Sequence, residues 1–242
     1  MTDFVQLWVY LSSTPLFGLT ATLVVYVSAQ AFYARMQQAP WANPVLWSVV
    51  VLAGALTLTG TAYPTYFSGA QFIHFLLGPA VVALGWPLWQ RRSALRARGV
   101  RFVAAALIGG SAAAGSAVLF AWALGLPHEV LLSLAPKSVT APVAMGVAEK
   151  IGGIPALAGV FAVVTGLVGA LSGKYLFDAI GIATDGNGWI ARGFALGTAS
   201  HGIGAARALQ VNAEAGAWAA LALGLQAVLA SVLIPLVSAI IG

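Results

Sequence analysis

The chain has 242 residues, of which 60% are hydrophobic and only 7% are charged, with a formal net charge of +5. A typical soluble domain has about a quarter of its residues charged, so this composition excludes an ordinary soluble protein. Lipid forces every backbone polar group to pair within the protein, and we therefore predict an all-α integral membrane protein.

Long uncharged runs predict the membrane segments. A helix needs about 20 apolar residues to cross a bilayer, and the run 36–90 is long enough for two such helices, separated near Tyr63-Pro64. Together with the shorter, more polar stretches 129–150 and 186–214, the runs predict about seven or eight segments. The short stretch 4–13 is either a surface helix or a half-helix. The runs without Asp, Glu, Lys or Arg are 4–34, 36–90, 102–128, 151–173 and 215–242.

The segment RRSALRARGVR, residues 91–101, contains five of the eleven basic residues of the chain. Short basic loops stay on the cytoplasmic side of a membrane, so we predict a cytoplasmic loop between two spans. Contact with anionic lipid headgroups is the alternative interpretation. Because this one segment holds so much of the basic charge, the positive net charge does not indicate nucleic-acid binding.

The segment LAPKSVTAPVAMGVAEKIGG, residues 134–153, is predicted to be an interrupted helix. Pro136 and Pro142 each remove a backbone donor and disfavour helix in the preceding residue. The pattern predicts a half-helix, a short extended loop and a second half-helix that begins near Pro142, with Thr140 as its N-cap. Such a segment either crosses the membrane as a broken helix or re-enters as a hairpin.

Polar side chains lie between the two prolines of this segment, namely Lys137, Ser138 and Thr140. A half-helix N-terminus presents free N–H groups and partial positive charge, which favours an anion, and Lys137 beside it strengthens that preference. The alternative is that the Lys137 side chain extends to the membrane interface without binding a solute.

The second predicted interruption is ALGTASHGIGAARAL, residues 195–209, in which glycines weaken a continuous helix. Gly193 and Gly197 also form a GxxxG spacing, which serves close helix packing. That spacing does not explain the polar side chains Thr198, Ser200 and His201, which offer donors and acceptors for a small polar solute. Packing is the alternative role for His201.

Arg207 follows six residues after His201. Its guanidinium is suited to bidentate binding of a carboxylate. Anchoring at the cytoplasmic edge of the membrane is the equal alternative.

Internal similarity suggests two related halves. Residues 76–88 resemble 195–209, and residues 12–19 resemble 138–146, in the same order and at similar separation. We predict repeats over 12–125 and 130–242, with chance similarity between apolar stretches as the alternative. Repeated halves with interrupted helices are typical of transporters.

The chain is not predicted to be an enzyme. Ser200 and His201 are adjacent, which is the wrong geometry for a nucleophile and its base, and no acid is near them in sequence. Cysteine is absent, and no metal-ligand spacing or phosphate-binding loop occurs. We expect no metal and no cofactor, and without a phosphate-binding loop any transport would not be driven by ATP hydrolysis in this chain.

The motifs LLGPAVVALGWPLW, LAPKSVTAPVAMGVAEKIGG, ALGTASHGIGAARAL and GAWAALALGLQAVLASVLIP together resemble the LrgB/CidB family over residues 12–241. That family includes the plastid glycolate/glycerate translocator of plants. Bacterial members are called antiholin-like or holin-like and are linked to control of murein hydrolases and autolysis. Plant members, and by extension some bacterial ones, look like carriers of glycolate, glycerate or pyruvate.

The resemblance implies a secondary carrier of small monocarboxylates in the bacterial inner membrane, with several crossings and proton or sodium coupling. The alternative that it implies is an antiholin-like or holin-like regulator of murein hydrolase export and autolysis. Expected partners are the lipid bilayer, a membrane protein of the LrgA/CidA type and further copies of the chain. The residues expected to bind substrate are Lys137, Ser138, Thr140, Thr198, Ser200, His201 and Arg207.

Two positions depart from the family motif. Ala205 stands where Thr is common, and Gln210 stands where Glu is common. The missing acid either leaves Arg207 freer for substrate or changes the proton coupling, so the substrate and the coupling ion stay open.

Overall fold

The structure, a computed structural model, describes residues 15–76, 79, 85–90 and 92–241. Within these ranges every regular element is helical, which confirms the predicted all-α class. The chain forms two compact units, Met1–Val81 and Val82–Gly242. After a short 3-10 helix at Pro40–Ala42 is set aside, the α-helices are α1 (Pro15–Arg35), α2 (Pro44–Thr59), α3 (Tyr63–Phe75), α4 (Gly85–Gln90), α5 (Arg92–Ala123), α6 (His128–Leu134), α7 (Ala141–Ile151), α8 (Pro155–Ala179), α9 (Gly186–Val211) and α10 (Ala213–Ile241).

Among the described residues, four helices are long and apolar enough to cross a membrane, and they coincide with four predicted spans. The predicted separation near Tyr63-Pro64 is also confirmed, because α2 ends at Thr59 and α3 begins at Tyr63. The stretch 4–13 and part of the predicted span that ends near Trp89 lie outside the described residues. The candidate spans are Leu16–Arg35, Gly99–Ala123, Pro155–Ala179 and Ala213–Ile240.

The arginine-rich segment is not a loop. Helix α5 begins at Arg92 and continues to Ala123, so the described residues of 91–101 form its first turns. Arginine and alanine are strong helix formers and no proline interrupts the segment, which lets the helix extend beyond its apolar part. The Arg92 guanidinium lies 4.4 Å from the centre of the Trp89 ring. The predicted loop was therefore wrong in conformation.

In the first unit, α1 and α3 pack through a close backbone contact. A side chain at Gly18 would overlap the carbonyl oxygen of Tyr66, so glycine is required for this approach. The Thr22 hydroxyl donates to the Gly18 carbonyl oxygen at 2.6 Å and lies 2.7 Å from the Tyr66 hydroxyl. At the start of α2, Asn43 Oδ1 accepts a hydrogen bond from the backbone N–H of Val45. These contacts fix the ends and spacing of the three helices.

In the second unit, the first half of α9 packs backbone to backbone on α10. Side chains at Gly193 and Gly197 would overlap the backbones of Ala215 and Ala219. Both positions advance by four residues in the same direction, so the first half of α9 runs parallel to α10. The GxxxG spacing therefore does serve close helix packing, the alternative raised from the sequence.

We expect Gly197→Leu to lower the melting temperature of the purified protein, because the new side chain meets the Ala219 backbone. Overpacking of this kind costs about 1–3 kcal/mol. The matched control is Gly146→Leu in α7, where an added Cβ meets nothing within 4 Å. Thermal unfolding followed by circular dichroism measures both, and an equal loss in the control would contradict the packing argument.

Candidate functional site

The first interrupted segment consists of α6, a loop and α7, close to the sequence prediction. The loop over 135–140 is a series of tight turns, in which Lys137 N–H donates to the Leu134 carbonyl and Val139 N–H to the Pro136 carbonyl. The predicted extended loop was therefore wrong in conformation, because these local bonds shorten it. Proline lies in the first turn of α7, as predicted.

The chain folds back across this loop. Ser133, at the end of α6, donates from Oγ to the Glu129 carbonyl at 2.6 Å and accepts from the Ile154 N–H at 2.8 Å. A Cβ at Gly153 would lie 3.0 Å from the Ser133 nitrogen. The end of α7 thus returns to the end of α6, and the loop over 135–140 projects away from that junction.

Polar groups of this loop are partly or wholly withdrawn from solvent. Ser138 is buried, and its Oγ accepts a long hydrogen bond of 3.4 Å from Lys137 Nζ. Thr140 is the N-cap of α7 by position, but its side chain makes no capping bond. Its Oγ1 is buried and has no hydrogen-bond partner. The predicted capping role was wrong, and the free Thr140 hydroxyl is left for another partner.

Helix α9 breaks at His201, where φ is 41° and ψ is −134°. A positive φ is uncommon for a residue other than glycine, and it costs about 1–3 kcal/mol. A Cβ at Gly204 would lie 2.8 Å from the Leu196 carbonyl oxygen. In a straight helix Leu196 and Gly204 would be about 12 Å apart along the axis. The chain therefore reverses direction at His201, and the interruption predicted from the glycines is confirmed.

The imidazole of His201 stabilises this reversal. The ring is buried, and its Nε2 lies 2.7 Å from the carbonyl oxygen of Ala162 in α8. A carbonyl oxygen only accepts, so Nε2 carries the hydrogen. In the neutral ring, Nδ1 is then an acceptor.

Two glycines of α8 make room for the reversal. A Cβ at Gly166 would lie 2.8 Å from Cε1 and Nε2 of the His201 ring. A Cβ at Gly169 would overlap the hydroxyl of Ser200. The shape of α8 thus sets the positions of two predicted site residues, and larger residues at either glycine would displace them.

The two predicted motifs meet in the structure. Thr140 Cγ2 lies 3.9 Å from the position of a Cβ at Gly202, next to the break in α9. Thr140 and the break at His201 therefore lie in one region, and Lys137, Ser138 and Ser200 are neighbours of these two residues in sequence.

Thr198 and Arg207 occupy other positions. Thr198 is buried, its Oγ1 has no hydrogen-bond partner, and its Cγ2 lies 3.3 Å from a Cβ built at Gly109 of α5. It therefore faces α5 rather than the loop over 135–140. Arg207 is buried and has interactions of its own. Its burial argues against an exposed anchor.

Sequence reasoning missed several buried polar residues, among them Arg192 and Gln226. Arg192 donates to Asp178 Oδ1 at 2.7 Å and to the Ile182 carbonyl, which ties α9 to the end of α8. Gln226 of α10 is buried, and its Oε1 has no hydrogen-bond partner. For Gln226 the local signal was a polar residue within an uncharged run, and for Arg192 it was a charge within the stretch 186–214. Neither signal identifies the partner.

The assembled region can bind a small anion. The α7 N-terminus carries partial positive charge, and Lys137 adds a full charge beside it. Thr140 Oγ1 and His201 add hydrogen-bonding groups in apolar surroundings. Among the described residues, no group of three His, Cys, Asp or Glu side chains could hold a metal ion.

Known proteins are similar to this chain over most of its length. The LrgB-like family matches residues 22–240. YxaC of Bacillus subtilis strain 168 is 34% identical over 216 residues, which cover 89% of this chain and 92% of YxaC. The holin-like protein CidB of Staphylococcus aureus strain Mu50 is 31% identical over 238 residues, 97% of each chain. No solved structure matches significantly.

Long apolar helices and two folded-back segments define the class, a helical membrane protein. The chain belongs to the LrgB-like family, which confirms the resemblance found in its motifs.

We expect Gly166→Ala to lower the melting temperature, because the new Cβ displaces the His201 ring from Ala162. The cost of such overpacking is about 1–3 kcal/mol. Gly159→Ala is the control on the same helix, because there the added Cβ meets only the flexible Met145 side chain. In a His201→Ala background the loss at Gly166 should shrink. An undiminished loss would show that the ring is not the obstacle.

Proposed function

We propose that this chain is a secondary carrier of small monocarboxylates such as glycolate, glycerate or pyruvate in the bacterial inner membrane. The observation that carries the proposal is the contact between the loop over 135–140 and the reversal of α9, which brings Thr140 beside the break at His201, with Lys137 in the same loop. Buried polar groups without partners are rare in proteins, so an unpaired Thr140 hydroxyl suggests a ligand.

The carboxylate would bind at the α7 N-terminus, beside Lys137. Backbone N–H groups at a helix start point at a bound anion, and an ammonium group adds attraction. Thr140 Oγ1 would donate to a carboxylate oxygen, which would satisfy a group that has no partner in the protein. Arg207 would stabilise the same negative charge from its buried position beyond the break.

The hydroxyl or oxo group of the substrate would be bound by α9. Ser200 can donate or accept, and His201 Nδ1 accepts while Nε2 is held by Ala162. Thr198, which faces α5, would line the path of the solute. His201 is also suited to carry a coupling proton, since imidazole titrates near physiological pH. Sodium is the alternative coupling ion.

The fold-back of both interrupted segments supports a transport mechanism. We interpret them as re-entrant hairpins among about seven or eight membrane segments, whose tips meet near the middle of the bilayer. Alternating access would then move one group of helices against the other around this site. A second copy of the chain and an LrgA/CidA-type protein are the proposed partners.

We expect Lys137→Ala to reduce the initial uptake of labelled glycolate into proteoliposomes at low substrate concentration. Loss of a hydrogen bond to a charged group costs about 1.5–3 kcal/mol, so the reduction should be about tenfold to a hundredfold. Lys150→Ala is the control, because Lys150 is exposed in the last turn of α7. Equal uptake by the two variants, or none above empty vesicles for the wild type, would contradict the site.

A holin-like regulatory role is the second candidate, and the names of relatives favour it more directly than they favour transport. CidB of Staphylococcus aureus is named a holin-like protein. Glycines with open space beside them, such as Gly54 and Gly115, would suit close packing between copies. In this role the chain would modulate murein hydrolase export and autolysis without binding a solute.

A single bacterial strain distinguishes the carrier role from the regulatory role. In a host that lacks the gene, a chain carrying Lys137→Met and Ser200→Ala keeps its apolar packing but loses polar contacts. The regulatory role predicts that autolysis rates return to the wild-type value with this variant. The carrier role predicts that uptake and the autolysis phenotype are lost together. Turbidity decay and labelled glycolate uptake, measured on the same cultures, give the answer.

A further inference from the structure

An elongated cavity, open along one side where Leu119 and Trp122 are exposed, lies in the second unit beside the loop over 135–140. Its volume is about 630 Å³, equal to that of about 20 water molecules at roughly 30 Å³ each. Along α10 it extends from Gln226 to Ser238, about 18 Å at 1.5 Å per residue. A two- or three-carbon acid would fill only a small part of this space.

The cavity walls are mainly apolar. Side chains of α5 and α10 form the long sides, among them Leu107, Val118, Leu229 and Ile234. Apolar walls of this extent favour a hydrocarbon group, at about 0.8 kcal/mol for each methylene removed from water. The shape and the lining together indicate a chain rather than a compact polar solute.

The charged site adjoins this cavity at Ser138. Ser138 lines the cavity, and its Oγ accepts the hydrogen bond from Lys137 Nζ. A carboxylate bound at Lys137 can therefore have its chain in the cavity. Charge at one end and apolar walls along the length complement an amphipathic acid.

A buried amide lies on the adjoining wall. Gln226 is only 7% exposed, lines the cavity and has an Oε1 without a hydrogen-bond partner. Ala230, one turn further along α10, packs in one cluster with Val139, the neighbour of Ser138. Ser138 and Gln226 both line this cavity, and a ligand hydroxyl at Gln226 would satisfy the amide oxygen.

The glycines of α5 fit this arrangement. A side chain at Gly110 would overlap the Gln226 amide, so glycine is needed for the amide to reach its place. Gly115 also lines the cavity, and an added Cβ there meets nothing within 4 Å. A larger residue at Gly115 would therefore fill the cavity without disturbing the helices.

We infer that the cavity binds the hydrocarbon chain of a 2-hydroxycarboxylate whose carboxylate lies at Lys137 and Ser138. Its hydroxyl accepts a hydrogen bond from Ser200 of α9 and donates its one hydrogen to Gln226 Oε1, which for this ligand replaces His201 Nδ1 as the acceptor. The inference rests on the proposed function, and it makes six- to eight-carbon hydroxy acids better ligands than glycolate. A lipid acyl chain, which has no 2-hydroxyl group, would leave the Gln226 amide oxygen without a partner.

Competition measures the chain preference. Unlabelled glycolate, 2-hydroxybutanoate and 2-hydroxyhexanoate compete with labelled glycolate for uptake into proteoliposomes. Each buried methylene should lower the half-inhibitory concentration by up to about fourfold, the equivalent of 0.8 kcal/mol. The same acids are titrated against the protein in nanodiscs, with the shift in melting temperature as readout. Stabilisation without uptake would refute the carrier and leave the cavity site standing.

Filling the cavity tests its location. Gly115→Leu and Ser111→Leu should each raise the half-inhibitory concentration of 2-hydroxyhexanoate by tenfold or more and leave that of glycolate unchanged. Gly99→Leu on the same helix is the control, because its added Cβ meets nothing and it does not line the cavity. Gln226→Leu should remove the advantage of 2-hydroxyhexanoate over hexanoate. Equal inhibition by all chain lengths in the wild type, or equal effects of the Gly115 and Gly99 variants, would overturn the inference.

Discussion

The hydrogen bond from His201 to the Ala162 carbonyl holds the reversal of α9, and the candidate site depends on that reversal. A helix that turns back in apolar surroundings leaves backbone groups without their usual partners, and such groups are costly there. The imidazole, buried against Gly166, joins the tip to α8. Without this contact, the groups near Thr140 would have no fixed opposite wall.

Local sequence signals predicted where the chain breaks, because proline and glycine act on their own backbone. Pro142 in the first turn of α7 and the interruption within 195–209 follow from such signals. Local signals do not predict the fold-back itself, because it depends on contacts between residues that are distant in sequence, such as Ser133 with Ile154. The contact between Thr140 and the break near Gly202 also joins residues that are distant in sequence, so local signals could not predict its position.

Other features were beyond reach because they depend on packing between helices. The Thr140 side chain stands at a capping position but makes no capping bond, a detail set by its surroundings rather than by its residue type. Gln226 lies in an uncharged apolar run, and only the structure places it against Gly110 and the cavity. The charge pattern of the arginines in 92–101 predicts a loop, but their helix propensity decides the conformation, and they form the first turns of α5.

The parallel register of α10 with the first half of α9 has a consequence for the place where α10 begins. The first half of α9 leads away from Gly186 and the second half returns, so the residues before Gly186 and the start of α10 near Ala213 lie at the same end of the pair. If α9 ran straight through His201, α10 would begin at the opposite end of α9. The backbone conformation of one histidine thereby sets the direction in which the last helix of the described chain runs.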